Sequence, residues 1–132
     1  MVIFDSSILV DQLRANRHIQ RIDSLDELVR TSAVVLAELW RGATTRAEQV
    51  FLRNLERKYP IFTPTEKSWL ESGEILGDIV RDRGFQGSKL RDLHFDVLIA
   101  LTARSNGARL ITSNRADFEL IRDYREFKLE VW

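Results

Sequence analysis

Short runs of β-branched and aromatic residues alternate with longer stretches of helical periodicity along the whole chain, and this alternation restricts the fold most. Val2-Ile3-Phe4, Thr31-Ser32-Ala33-Val34, Tyr59-Pro60-Ile61-Phe62, Arg109-Leu110-Ile111-Thr112 and Phe127 to Val131 read as strands, because they are brief, apolar and rich in strand formers. Between them, apolar residues recur at helical spacing from Ile8 to Arg14, with Ser6 and Ser7 as caps, and from Ile19 to Arg30 through Ile22, Leu25, Leu28 and Val29. A further helix holds Leu36, Glu38, Leu39 and Trp40 and stops near Gly42. Others are expected over Thr44 to Lys58, Glu66 to Arg83 with Gly84 as C-cap, Asp92 to Asn106, and around Asp117 to Ile121. In the Glu66 helix Trp69, Leu70, Gly73, Leu76, Ile79 and Val80 should face inward, and Phe85 to Arg91 should be a loop. Strands separated by helices require crossover connections. The expectation is therefore an α/β protein, a three-layer α/β/α sandwich around a mostly parallel sheet. A length of 132 residues suits one domain over 1–132, since it is too short for two ordinary cores.

Four carboxylates stand where this architecture makes charge costly. Asp5 follows Val2-Ile3-Phe4, Glu38 interrupts an apolar run, Asp96 opens Val97-Leu98-Ile99-Ala100, and Asp117 comes shortly after Leu110-Ile111. Ligands of parallel sheets bind outside the carboxyl ends of the strands, and the predicted topology brings all four acids to that side. Two carboxylates about 4 Å apart repel by roughly 4 kcal/mol at an effective dielectric of about 20. A cluster of four therefore needs protons or a metal. Hard oxygen donors without His or Cys suit Mg²⁺ or Mn²⁺ and suit structural zinc poorly. The matching chemistry is phosphodiester hydrolysis, in which such an ion activates water and neutralises developing charge.

Each acid also has a plainer explanation. Asp5 can be a turn residue, Glu38 a solvated helix residue, Asp96 a favourable charge near a helix start, and Asp117 part of a cap with Asn114. Convergence of all four on one edge is what distinguishes the functional reading.

The remaining composition narrows the field. Lys plus Arg and Asp plus Glu both number 20, so the net charge is zero, and a nucleic acid would have to be held by local patches. Absence of Cys removes thiol chemistry and disulfides and fits a reducing compartment. No apolar run is long enough to span a bilayer, and no basic-then-apolar stretch of signal length opens the sequence. A soluble cytoplasmic protein with no membrane association is expected. His94 is read as a structural or solvent-facing helix residue and is left out of the catalytic set. Arg14, Arg17, Arg21, Lys89 and Arg91 are read as a solvated face that can at most touch phosphates.

Taken in order, Asp5-Ser6-Ser7-Ile8-Leu9-Val10-Asp11, Leu36-Ala37-Glu38-Leu39 with Gly42, Asp96-Val97-Leu98-Ile99-Ala100, and Thr112-Ser113-Asn114 with Asp117-Phe118 resemble the motifs of the PIN-domain ribonucleases. The nearest subgroup is the VapC-type toxin of toxin-antitoxin pairs. The resemblance covers nearly the whole chain and implies an α/β/α sandwich, Mg²⁺ or Mn²⁺ dependence, and endonucleolytic cleavage of RNA. It further implies Asp5 and Asp96 as metal ligands, Glu38 and Asp117 completing the catalytic set, and Ser6 and Asn114 as supporting residues. The implied partners are an RNA substrate, a cognate antitoxin and a second copy in a homodimer. Leu90-Arg91-Asp92-Leu93-His94-Phe95 departs from the small or glycine-containing approach usual before the third acid, and adds Asp92.

The alternative is a non-catalytic protein- or RNA-binding module on the same fold. Receiver- or phosphatase-type phosphoryl transfer is disfavoured, because Asp5 has no second Asp two residues on and Ile61-Phe62 runs into Thr63-Pro64.

Overall fold

The computed structural model describes residues 1–132 and contains one sheet of five strands, all parallel, in the order β3-β2-β1-β4-β5. Its strands are β1 (Val2–Phe4), β2 (Val29–Ser32), β3 (Ile61–Phe62), β4 (Arg109–Thr112) and β5 (Leu129–Val131). The helices are α1 (Ser6–Arg14), α2 (Ile19–Asp23), α3 (Ala33–Gly42), α4 (Arg46–Lys58), α5 (Glu66–Arg83), α6 (Gly87–Ser105) and α7 (Arg115–Tyr124). The order runs outward from β1 in one direction and then resumes on its other side at β4. Right-handed crossovers around such a reversal put helices on both faces, which gives the expected α/β/α sandwich.

β1 occupies the centre, and all three of its residues are buried, as the unbroken apolar run of a two-sided parallel strand requires. It joins a core that includes Ile8, Val35, Leu98, Ile99, Leu110, Ile111, Phe118 and Ile121. β3 lies at an edge, and Pro60 immediately precedes it, where a missing N–H costs no ladder bond. Trp132 packs against the centre through Phe4, with ring centroids 5.7 Å apart.

Several sequence expectations shift. The helix expected from Ile19 to Arg30 ends at Asp23, where Ser24 Oγ donates to the carbonyl of Arg21. Val29 and Arg30 are instead drawn into the sheet opposite Val2 and Ile3, so tertiary pairing overrides the local helical period and Leu28 is left 63% exposed. β2 then ends at Ser32, whose hydroxyl accepts from the Val34 N–H and starts α3 with no intervening loop. The stretch Phe85 to Arg91 is mostly helix, because α6 begins at Gly87.

In α5, Trp69 and Leu70 are exposed rather than inward. The buried line there runs through Ser68, Ser72, Ile75, Leu76 and Ile79. Gly84 closes this helix with φ +72° and donates to the Val80 carbonyl, the left-handed stop expected of glycine.

Candidate active site

Asp5 is the first residue beyond β1, and its N–H donates to the Ile111 carbonyl of β4 at 2.9 Å. It therefore lies between β1 and β4, where the strand order reverses and crevices open in sheets of this kind. Asp5 is almost fully buried and is the N-cap of α1, although its side chain makes no cap bond. The neighbouring serines do not cap the helix either. They turn their hydroxyls to the acid.

Ser7 Oγ donates to Asp5 Oδ2 at 2.9 Å, and Thr112 Oγ1 donates to the same oxygen at 2.8 Å. These hydroxyls are aimed from behind, since Ser7 Oγ accepts from the Ser113 N–H and Thr112 Oγ1 accepts from the Asn114 N–H. Oδ2 is thus saturated by a network fixed to the β4 end. Oδ1 has only Ser6 Oγ at 3.4 Å, and it is the oxygen left for a ligand.

Ser6 Oγ is also 3.1 Å from Glu38 Oε2, which ties the first acid to the second across α1 and α3. Glu38 lies on the sixth residue of α3. Its second oxygen, Oε1, is buried without a hydrogen-bond partner. Burial raises the Glu38 pKa; the Ser6 hydrogen bond opposes this, and the nearby Asp5 charge adds to it.

Asp96 is the tenth residue of the nineteen in α6, not a residue near a helix start. The helix dipole cannot account for an acid in the middle of a helix, because that field fades within a turn of the ends. Burial, followed by the charges of Asp5, Glu38 and Asp117, pushes its pKa up to about 8, and only Lys89 opposes them. Asp92 sits one turn earlier on the same helix and lines the same cleft.

Asp117 is held twice by Asn114, the N-cap of α7. Asn114 Oδ1 accepts from the Asp117 N–H at 3.4 Å, and Asn114 Nδ2 donates to Asp117 Oδ2 at 3.0 Å. The capping reading and the cleft reading are therefore both correct for this acid. Burial raises the Asp117 pKa, but hydrogen bonds from Lys89 and Asn114 more than offset it and hold the carboxyl below its usual range.

Asp5, Ser6, Glu38, Asp96, Asn114 and Asp117 all line one cleft of about 380 Å³. Every site residue expected from the sequence is brought together. Ser7 and Thr112 were not anticipated as partners of Asp5, and Arg41 and Phe95 were not anticipated at the cleft. A short hydroxyl two residues after a buried acid is a readable signal for Ser7. Thr112 depends on the β1–β4 register, which no local pattern encodes. His94 does not line this cleft, and its Nε2 lies 3.1 Å from Ser72 Oγ.

The donor set consists of oxygen alone. No three carboxylate or imidazole groups converge closely enough to enclose an ion by themselves. Mg²⁺ needs no such cage, since it takes one or two carboxylates and fills its octahedron with water. The unpartnered Glu38 Oε1 and the half-buried, charge-crowded Asp96 are what a site for a hard cation would contain, so the residues fit Mg²⁺ or Mn²⁺.

The PIN domain family model matches residues 2–123. No curated protein sequence matches the chain. Among solved structures, VapBC2 from Rickettsia felis bound to a DNA fragment from its promoter is 23% identical with a TM-score of 0.77, over 100% of this chain and 99% of the other. VapBC-1 from nontypeable Haemophilus influenzae is 25% identical with a TM-score of 0.73, over 100% and 98%. A toxin-antitoxin complex from Klebsiella pneumoniae is 22% identical with a TM-score of 0.63, over 89% and 90%.

Proposed function

We propose, since this chain belongs to the PIN domain family, that it is a metal-dependent endoribonuclease acting as the toxin of a toxin-antitoxin pair. The observation that carries the reading is the arrival of Asp5, Glu38, Asp96 and Asp117 from four separate elements in one cleft at the carboxyl edge of the sheet. Asp5 and Asp96 would hold Mg²⁺ or Mn²⁺, with Glu38 and Asp117 completing the acidic set. When bound, the ion would supply a hydrolytic water at neutral pH and offset the charge that grows on the phosphate oxygens.

The chain itself fixes the donors. Thr112 and Ser7 lock Asp5 so that Oδ1 is presented and Oδ2 is not. Ser6 keeps Glu38 in line with Asp5, and Asn114 sets the Asp117 carboxylate. Donors held by neighbours in this way need no reorganisation when substrate arrives. No protein nucleophile is required.

The similarity to VapBC assemblies supports an antitoxin as partner, and the reading includes RNA as substrate, a homodimer and a cytoplasmic location. No helix is long and apolar enough to cross a membrane.

The test is cleavage of a labelled RNA by purified protein with Mg²⁺ or Mn²⁺, with chelator as control. Asp5→Asn and Asp96→Asn should each abolish cutting while leaving a folded protein by circular dichroism. Full activity in both variants would sink the proposal. It would favour a binding module instead.

A further inference from the structure

Arg41 is the one basic side chain lining the acidic cleft, in the company of five carboxylates: Asp5, Glu38, Asp92, Asp96 and Asp117. It forms an ion pair with none of them. Its guanidinium lies instead over the Phe95 ring, 5.3 Å from the centroid. The contrast with Lys89 is direct, because that cation is already engaged by Asp117 at 2.5 Å. Arg41 therefore keeps its charge at the cleft without spending its donors there.

The contact with Phe95 explains how. A guanidinium over an aromatic face is attracted by the ring's π electrons, which leaves its planar fork of five N–H donors free of hydrogen-bond partners. That fork matches two oxygens of a phosphate. Among the charged side chains that line the cleft, a polyanion otherwise meets only carboxylates. A divalent ion offsets charge at the scissile phosphate, but the neighbouring phosphates still need a cation. Arg41 follows Glu38 by three residues on α3 and already acts on its charge. Phe95 precedes Asp96 on α6. Arg41 therefore stands beside the reacting centre and not on it.

We propose that Arg41, placed over Phe95, binds an RNA phosphate next to the scissile one and so sets the register of the strand in the cleft. The proposal rests on the nuclease reading above. Phe95 acts as a positioning residue, because it holds the guanidinium and meets no substrate.

The test is fluorescence anisotropy of a labelled single-stranded RNA with the full chain carrying Asp96→Asn, which leaves the RNA uncut on the proposed reading. Adding Arg41→Ala should weaken binding about tenfold and reduce the slope of log affinity against log salt by about 0.7, the loss of one phosphate contact on a single strand. Arg41→Lys, which keeps the charge but lacks the planar fork, should bind with intermediate affinity. In the Asp96-containing protein, the Arg41→Ala loss should fall more on KM than on kcat. Arg41 is exposed, so its thermal midpoint should stay at the parent value. Unchanged affinity and salt slope in Arg41→Ala, with RNA still cut by the unmodified chain, would overturn the clamp and leave the nuclease reading standing. Absence of both RNA binding and cleavage in the unmodified chain would overturn both.

Discussion

Lys89 Nζ lies 2.5 Å from Asp117 Oδ1, joining the first turn of α6 to the first turn of α7. Besides holding Asp117, this cation is the one charge that lowers the Asp96 pKa against burial and three carboxylates. It acts as a resident counter-ion of the cleft.

A divalent ion bound near Asp117 must therefore compete with Lys89. Lys89→Met should tighten Mg²⁺ or Mn²⁺ binding by up to about fivefold, the equivalent of the ~1 kcal/mol upper end for a partly exposed pair. Isothermal titration calorimetry checks this, and unchanged or weaker binding would refute it.

Asp96 gives the metal-free protein an unusual pH dependence. Its folded pKa of about 8 lies above the ordinary 3.8, so between those values the folded chain retains a proton that the unfolded chain releases. Stability from this group is complete below about pH 4 and declines as pH rises through about 8, at about 1.4 kcal/mol per unit at most. Urea denaturation in chelator should show a lower midpoint at pH 8 than at pH 5.5, and Asp96→Asn should remove this component. Added Mg²⁺ should raise the thermal midpoint more at pH 8 than at pH 5.5, because the ion and the proton compete for one carboxylate. Equal metal stabilisation at both pH values would contradict the assignment.

Thr112→Val keeps the side-chain shape but takes the donor from Asp5 Oδ2 and the acceptor from the Asn114 N–H. A lost hydrogen bond to a buried carboxylate costs about 1.5–3 kcal/mol. Losing a residue that orients a metal-holding acid costs about ten- to a hundredfold in affinity or activity. Chemical denaturation and Mg²⁺ titration should both register the change. A variant with wild-type metal affinity would show that Ser7 alone suffices.

An inhibiting partner is expected to place a basic side chain in the cleft, since a cation relieves the same repulsion as a metal. Neutralising the basic residues in the inhibitory segment of a cognate antitoxin should weaken inhibition of RNA cleavage. Inhibition that survives their removal would place the contact elsewhere.

Much of the site was legible because its acids interrupt apolar sequence. A carboxylate directly after Val2-Ile3-Phe4 or directly before Val97-Leu98-Ile99-Ala100 is hard to explain as a solvated surface residue, and both occupy the cleft. What escaped notice was set by tertiary pairing. Thr112 reaches Asp5 only because Phe4 registers with Ile111. Val29 keeps helical spacing with Ile22 and Leu25 but is claimed by the sheet. Asp96 falls close to the start of the expected helix because Gly87, Lys89 and Arg91, which follow the Gly84 C-cap, read as a loop. Trp69 and Leu70 satisfied an apolar period, yet α5 buries its small-residue line through Ser68 and Ser72. Periodicity locates a helix more reliably than it orients one when large and small residues alternate along it.

The direct passage from β2 into α3 at Ser32 makes Glu38 intolerant of insertion. A residue added to an ordinary loop is absorbed by the loop. Between Ser32 and Glu38 there is only helix, which turns about 100° per residue. One inserted residue there would swing the carboxylate away from Ser6, and one deleted would swing it the opposite way. The spacing from the end of β2 to the second acid is therefore set by rotation, and length changes in this chain should be accommodated in its other connections.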